Sequence, residues 1–542
     1  MSKAGGVVAI QATGSTAIEL KGITKRFGTV VANNHIDLSV KWGEILALLG
    51  ENGSGKTTLM NMLSGIYHPD SGSIFVDGRP VVINSPEDAN RLGIGMIHQH
   101  FKLVDVHTAT DNITLGAKGE GWLLHKDRGA RVREISDRFG LDVDPNKRVY
   151  DMSVGEKQTV EIVKVLYRGA RILIRDEPTA VLTPQETDRL FAILRRMRED
   201  GCAVIIITHK LGEVLAISDR VTILRKGESV ATVETAQTDV HRLTELMVGR
   251  PVELSIHRPD SGMADKLLEV HRLTVRNDEG VDVLNDVSFD LNQGEILGVA
   301  GVAGSGQKEL CEAIAGLQKV REGAVLYKKE NIVGKTPREI IKKGISMSFI
   351  PEDRLGMGLA ASMGMVDNML LKSYQEGKGP FVRRKGAREL ARRLIRELDI
   401  VTPGIDTPVR QLSGGNVQKV LLGREIKAGP NVIITAYPVR GLDINSSYAI
   451  YNILNQQKKD GVGILFVGED LDVMMALCDK IMVLCHGRVM GVVHAHKVTK
   501  EELGLMMTGA LDLTMKYEDK PAGIARDTNF APEETGDEGK EG

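Results

Sequence analysis

Two glycine-rich stretches, "GENGSGKTTL" from Gly50 and "GVAGSGQKEL" from Gly301, carry the residue types that can hold a polyphosphate. In the first, Gly50, Glu51, Asn52, Gly53, Ser54, Gly55, Lys56, Thr57 and Thr58 complete the pattern G-x-x-x-x-G-K-[ST]. Its glycines let backbone N–H groups turn inward around phosphate oxygens, and the helix that follows adds favourable partial charge at its N-terminus. Lys56 supplies a mobile cation for the β- and γ-phosphates, and the Thr57 hydroxyl is a ligand for Mg²⁺. In the second stretch Gln307 takes the lysine's place and Lys308 the hydroxyl's. The loop pattern is kept while the charge that grips phosphate is gone.

More chemistry lies downstream of the intact loop. Asp176 and Glu177 follow the apolar run "RILIR". An aspartate at a strand's carboxyl end beside such a loop can hold Mg²⁺ through water, and the next glutamate is placed to polarise an attacking water. Arg175 puts a charge where an apolar strand residue belongs, and a solvent-reaching edge is the expected explanation. His209, just past "AVIIIT", either caps the strand or hydrogen-bonds the γ-phosphate. Gln99, in "IGMIHQHF", ends another strand and can report Mg²⁺ and γ-phosphate to a neighbouring surface. Phe27 suits either stacking on adenine or a place in the core.

The elements that must position these residues are written twice. "GEILALLGENGSGKTTL" from Gly43 recurs as "GEILGVAGVAGSGQKEL" from Gly294, 251 residues on. Three later blocks, from Met152, Ile172 and Val204, recur from Leu412, Val432 and Ile464, each 260 residues on. The slip places a net insertion in the second copy between its loop and the next block. Each copy opens on alternating strands, passes through a strand–glycine loop–helix unit at 45–64 or 296–315, and has helical patterning over roughly 107–140 or 384–398. Each ends in apolar strands alternating with helices, the pattern of a parallel α/β sheet.

Composition sets bounds on the function. At 542 residues two or more domains are expected, and 26% charged with 42% hydrophobic residues is ordinary for a globular chain. A net charge of −2 gives no bulk attraction to nucleic acid. The four cysteines follow no C-x-x-C spacing, which fits a reduced, cytosolic protein with inert thiols. No secretory leader is read at the N-terminus, and no apolar run reaches the about 18 residues of a membrane span. Work at a membrane would need another anchor.

A phosphate loop, a glutamine loop, "MSVGE" or "LSGGN", "DEPT" and a histidine after a strand, in that order, resemble the ATP-binding cassette ATPases. The resemblance covers about residues 16–510. It implies an α/β fold of two tandem nucleotide-binding domains, each a phosphate-loop core sheet with an antiparallel β subdomain and a helical subdomain. The expected boundaries are a disordered tail over 1–15, a first cassette over 16–250, a linker over 251–266, a second cassette over 267–517 and a disordered acidic tail over 518–542. Twin cassettes with "MSVGEKQTVEI", "MIHQHF" and "PEDR" look like the ATPase subunit of bacterial sugar-type importers, and "HQHFKLV" with "TAVLTPQE" looks most like the branch for nucleosides.

The family binds ATP between cassettes facing head to tail, and this implies two unequal composite sites. Site one would join Phe27, the loop Gly50–Thr58, Asp176, Glu177, His209 and Gln99 to Ser413, Gly414, Gly415 and Asp443 of the second cassette, with Thr57, Gln99 and Asp176 on Mg²⁺ and Glu177, His209 and Gln99 serving catalysis. Site two would collect the losses: Gln307, Ala436 for the metal aspartate, Tyr437 for the glutamate, Glu469 for the histidine, Glu352 in the glutamine loop, Val154 in the signature beside Ser153 and Gly155, and Thr183 for the cross-interface aspartate. Implied with them are ATP and Mg²⁺ as cofactors, two membrane permease subunits and an extracytoplasmic binding lipoprotein as partners, no nucleic acid, and a peripheral place on the cytoplasmic face of the membrane. A soluble twin-cassette ATPase acting on ribosomes is the alternative, but it would carry two competent sites and a long basic linker.

Overall fold

The computed structural model describes residues 14–514 apart from 99–101, 117–124, 180–181, 209, 252–253, 261–264, 278, 344, 346–353 and 375–381. In the first half the strands are β1 (Thr16–Phe27), β2 (Val30–Lys41), β3 (Ile45–Gly50), β4 (Ser71–Val76), β5 (Arg79–Val81), β6 (Ile94–Ile97), β7 (Ile172–Asp176), β8 (Ala203–Ile207), β9 (Arg220–Arg225) and β10 (Glu228–Glu234). In the second they are β11 (Lys266–Arg276), β12 (Asp282–Asn292), β13 (Ile296–Ala300), β14 (Val320–Tyr327), β15 (Glu330–Asn331), β16 (Val432–Ala436), β17 (Gly463–Val467), β18 (Lys480–Cys485) and β19 (Arg488–His494).

These form two pairs of sheets with matching topology. An antiparallel sheet of order β2-β1-β4-β5 accompanies a core sheet of order β10-β9-β3-β8-β7-β6, and β12-β11-β14-β15 accompanies β16-β17-β13-β18-β19. In the first core sheet every neighbouring pair is parallel except β9 and β10. A parallel bridge between Ile345 and Val432 occupies the place that the β6–β7 pairing holds in the first half. The burial of each strand explains its sequence. β3, β8 and β17 are buried along their whole length and read as unbroken apolar runs, as strands covered on both faces do.

Alternation along β3 divides the core. Leu46 and Leu48 pack toward the antiparallel sheet with Ile18, Leu20 and the helix Lys56–Leu63, while Ile45 faces the opposite layer with Val160, Val163 and Leu194. The second half repeats this, with Leu297 and Val299 toward Leu268 and Leu310 and Ile296 toward Val417, Leu421 and Phe466. The helices Ala109–Thr114, His125–Phe139 and Arg384–Glu397 stand where helical patterning is read in the sequence, while Met365–Ser373 is a further helix outside those stretches.

The halves meet through equivalent surfaces. Ile444, opening the helix Ile444–Lys459, packs on the cluster of Val214, Leu243 and Met247. Reciprocally, Gln185, near the start of the helix Pro184–Glu199, donates from Nε2 to Glu501 O at 2.9 Å. Part of the expected linker is pinned rather than loose: Ile256 packs on the second half's core, Asn455 Nδ2 donates to His257 O at 3.2 Å, and Arg258 donates to Cys478 O. All four cysteines are buried and free, and burial pushes the Cys202 thiol up to about 11, as inert thiols require.

Arg175 corrects the sequence reading. β7 lies between β8 and β6, so it is not an edge, and Arg175 is 3% exposed. Its Nε and Nη1 find no hydrogen-bond partner among the described residues. Burial pushes the guanidinium down to about 10, with the Glu161 carboxylate the main opposing charge. Glu161 itself is served elsewhere, accepting from Lys102 N at 2.9 Å and pairing with Lys164 at 3.4 Å. A desolvated guanidinium with unmet donors costs stability that an apolar side chain of similar length would not. Arg175→Met is therefore expected to hold or raise the thermal midpoint in scanning calorimetry. A clear fall would show that the guanidinium is fully bonded.

Candidate functional site

The intact phosphate loop links β3 to the helix Lys56–Leu63. The N-cap of that helix is Gly55, left-handed at φ 97°, and no side chain caps it. A Cβ at Gly55 would sit 2.3 Å from Ala32 O, so the loop's course requires glycine twice over: for its φ and for its closeness to β2. The amides of the first turn are left for an anion. The buried Ser54 hydroxyl likewise has no partner among the described residues. Thr57 is exposed at the loop's mouth, and its hydroxyl and the Asp176 carboxylate are hard oxygen donors of the kind Mg²⁺ takes.

Lys56 is folded into its own loop, donating to Gly50 O at 2.6 Å and Glu51 O at 3.0 Å. Burial lowers its ammonium from the usual value, opposed by the charges of Glu177, Asp176 and Glu51. Burial raises the Asp176 carboxyl, helped by neighbouring Glu177 and opposed by Lys56. Lys56, Asp176, Glu177 and Glu51 thus share one electrostatic neighbourhood, assembled from the ends of β3 and β7.

Glu177 is held at a turn with φ 45°, and its N–H donates to Ile207 O at the end of β8 at 2.8 Å. A non-glycine residue there is strained, and the hydrogen bond to the next strand keeps it in place. A cleft of about 670 Å³ lies in front of it, lined from the first half by Gly50, Glu51, Asn52 and Glu177 and from the second by Tyr437, Arg440, Asp443 and Glu469. Burial raises the Glu51 carboxyl, and the Asp443 charge is the next cause. Asp443 is therefore brought from the second half to the intact phosphate loop.

Ser413 is the N-cap of the helix Gly414–Ile426, accepting from Asn416 N. A Cβ on Gly415 would meet Ser446 Oγ at 2.7 Å and Asp443 Oδ2 at 3.4 Å, so this helix start lies against the Asp443 turn. Neither Ser413 nor Gly414 lines the cleft. Phe27 ends β1 at 44% exposure, with Tyr67 edge-on at 5.3 Å, and is not a core aromatic. Gln99, His209 and Glu352 lie outside the described residues.

The second half keeps the shape and changes the chemistry. Gly306 is left-handed at φ 103° like Gly55, and the Ser305 hydroxyl is buried without a partner among the described residues like that of Ser54. Gln307 is buried and turns its amide onto Val302 O at 3.2 Å, the contact equivalent to Lys56 on Glu51 O. Tyr437 takes the same strained turn as Glu177, at φ 52°, with its N–H on Val467 O at 2.9 Å. The signature of the first half is also closed. Ser153 Oγ accepts from Glu156 N, and Ser153 N donates to Glu156 Oε2 at 2.8 Å, so the helix start is capped by a carboxylate whose other oxygen accepts from Lys147 Nζ at 2.6 Å. Asn416 holds that place in the second half and brings no charge.

Arg440 was not singled out by the sequence reading. The available signal was a substitution between the repeats: Arg440 stands 260 residues on from Ala180.

The sequence matches the ABC transporter family twice, over residues 33–180 and 284–438. The Nucleoside import ATP-binding protein NupA of Lactococcus lactis is 42% identical over 91% of this chain and 98% of its own. The Guanosine import ATP-binding protein NupO of Bacillus subtilis is 44% identical over 91% and 97%. The Ribose import ATP-binding protein RbsA 1 of Rubrobacter xylanophilus is 40% identical over 91% and 98%.

The loop geometry yields a paired test. Gly55→Ala strains a left-handed residue and drives a carbon into β2, a cost of at least about 1–3 kcal/mol, or about tenfold for each 1.4 kcal/mol, in binding a fluorescent ATP analogue. Gly169→Ala, at φ 86° but with open space around its Cβ, is expected to leave the same titration unchanged.

Proposed function

The chain belongs to the ABC transporter family, and from that membership we propose that it is the ATP-hydrolysing, energy-coupling subunit of an importer whose cargo is nucleosides, with ribose or another simple sugar as the alternative. Two of the relatives are named for nucleoside or guanosine import and one for ribose import, and each is matched along nearly its whole length. The partners in this reading are two membrane permeases, with an extracytoplasmic lipoprotein delivering the solute. Among the described residues no helix is long and apolar enough to cross a membrane, which fits attachment through those permeases.

In this reading only site one hydrolyses ATP. The observation that carries it is the gathering of Lys56, Asp176 and Glu177 beside a cleft to which the second half contributes Asp443. Lys56 leaves its loop carbonyls for the β- and γ-phosphates, and the amides at the start of the helix Lys56–Leu63 face them. Thr57 and Asp176, with Gln99, would hold Mg²⁺, which when bound would neutralise charge on those phosphates. Glu177 orients the attacking water, and His209 contacts the γ-phosphate. Ser413 and its helix start close on the same phosphate from the other half, so the γ-phosphate favours the closed arrangement and its loss reopens the cleft. Phe27 is available to the adenine. At site two a neutral amide replaces the lysine, Ala436 and Tyr437 replace the carboxylates, and Glu156, paired with Lys147, already caps the partner signature, so hydrolysis is not supported there.

Glu177→Gln is expected to lower steady-state ATPase turnover by about 10²–10⁴-fold while ATP still binds and holds the closed form. Unchanged turnover would remove Glu177 from the mechanism. Tyr437→Phe is expected to leave turnover intact; a drop of about a hundredfold would make site two catalytic. Uptake of labelled nucleosides and pentoses by a strain lacking this chain separates the two cargo readings.

A further inference from the structure

We propose that Tyr437, Arg440 and Glu469 form a clamp that holds the Asp443 turn of the second half toward the phosphate loop of the first, making Arg440 a positioning residue for hydrolysis at site one. The inference rests on the reading above that site one is the catalytic one.

The clamp is built where the second half has lost its chemistry. Tyr437 follows the end of β16, and Glu469 follows Gly468 at the end of β17. Arg440 bridges them: its Nε lies 3.1 Å from Glu469 Oε1, and its guanidinium carbon lies 5.8 Å from the centre of the Tyr437 ring. Arg440 N donates to Tyr437 O at 3.2 Å and Leu442 N to Val439 O at 3.0 Å, so the segment is wound tightly between its anchors. Asp443 ends it, its two carboxylate oxygens accepting from Ser446 N at 2.8 Å and Ser446 Oγ at 2.7 Å.

Two considerations give this cluster a role beyond stability. The ion pair is more than a third exposed on both sides, a setting in which such pairs contribute little to folding. What it can do is fix a loop's direction, and this loop lines the same cleft as Glu51 and Glu177. The arrangement is also one-sided. The first half has Ala180 in place of Arg440 and Thr183 in place of Asp443, so the bridge cannot form there. The residues that replaced a catalytic set therefore brace the turn that serves the working site.

The test is ATPase kinetics on the full chain. Arg440→Ala and Glu469→Gln are each expected to lower kcat about tenfold with KM for ATP held within about twofold, the pattern of a lost transition-state alignment rather than lost binding. Arg440→Lys is expected to recover most of the rate. In an Asp443→Ala background Arg440→Ala is expected to remove nothing further, because both act through one loop. Wild-type kcat in both single variants, or losses that multiply with that of Asp443→Ala, overturns the clamp. If Arg440→Ala melts early, the near-isosteric Glu469→Gln decides. Turnover surviving in Glu177→Gln would defeat the catalytic reading itself; turnover lost there but intact in Arg440→Ala and Glu469→Gln defeats only the clamp.

Discussion

The backbone corner after β7 and β16 is the constraint on which the two-site arrangement turns. At Glu177 and Tyr437 alike, the chain leaves a buried strand, enters the left-handed region and is held by one N–H to the carbonyl ending the neighbouring strand. Strain of this kind costs on the order of 1–3 kcal/mol and persists only where surrounding packing over-determines it. Here the packing is the central sheet itself, whose strands are buried on both faces. The corner aims whatever side chain it carries into the space between the halves. One copy carries a carboxylate and the other a phenol. The difference between the sites is therefore chemical, since the scaffold at this point is the same in both.

That sameness explains how much was legible in the sequence. The phosphate loops, the blocks recurring 251 and 260 residues on, and the apolar runs of the core strands are local signals. Each translated into an element at the expected place, because glycine at positive φ and continuous apolar strands leave few alternatives. The charge cluster of Lys56, Asp176 and Glu177 followed, since strand ends in a parallel sheet bring such residues together. Arg175 was misread because charge alone says "edge" when strand order is unknown. The order β8-β7-β6 is a long-range fact, and no local pattern around Arg175 reveals it.

Arg440 and Glu156 were harder for another reason. Glu156 sits in an S-x-x-E pattern that is open to view as a capping box, yet its consequence, a signature helix start that is already capped, needs the partner half to be in place. Arg440 is meaningful only beside Tyr437 and Glu469, and the last of these is nearly thirty residues away, past the end of β17. Both residues acquire significance from the meeting of halves, and a single sequence carries that information only as unexplained differences between its repeats.

The pinned connector has a consequence for how such a machine can evolve and run. Ile256, His257 and Arg258 seat the join on the second half, which keeps the tether short and the effective concentration of each half near the other high. Joining the copies covalently also breaks the symmetry that two identical chains would enforce. In a pair of identical subunits every substitution falls on both pockets at once, and a tyrosine in place of the base would silence the whole assembly. A fused duplicate escapes that rule, which is the freedom the proposed division into one working and one framework pocket requires.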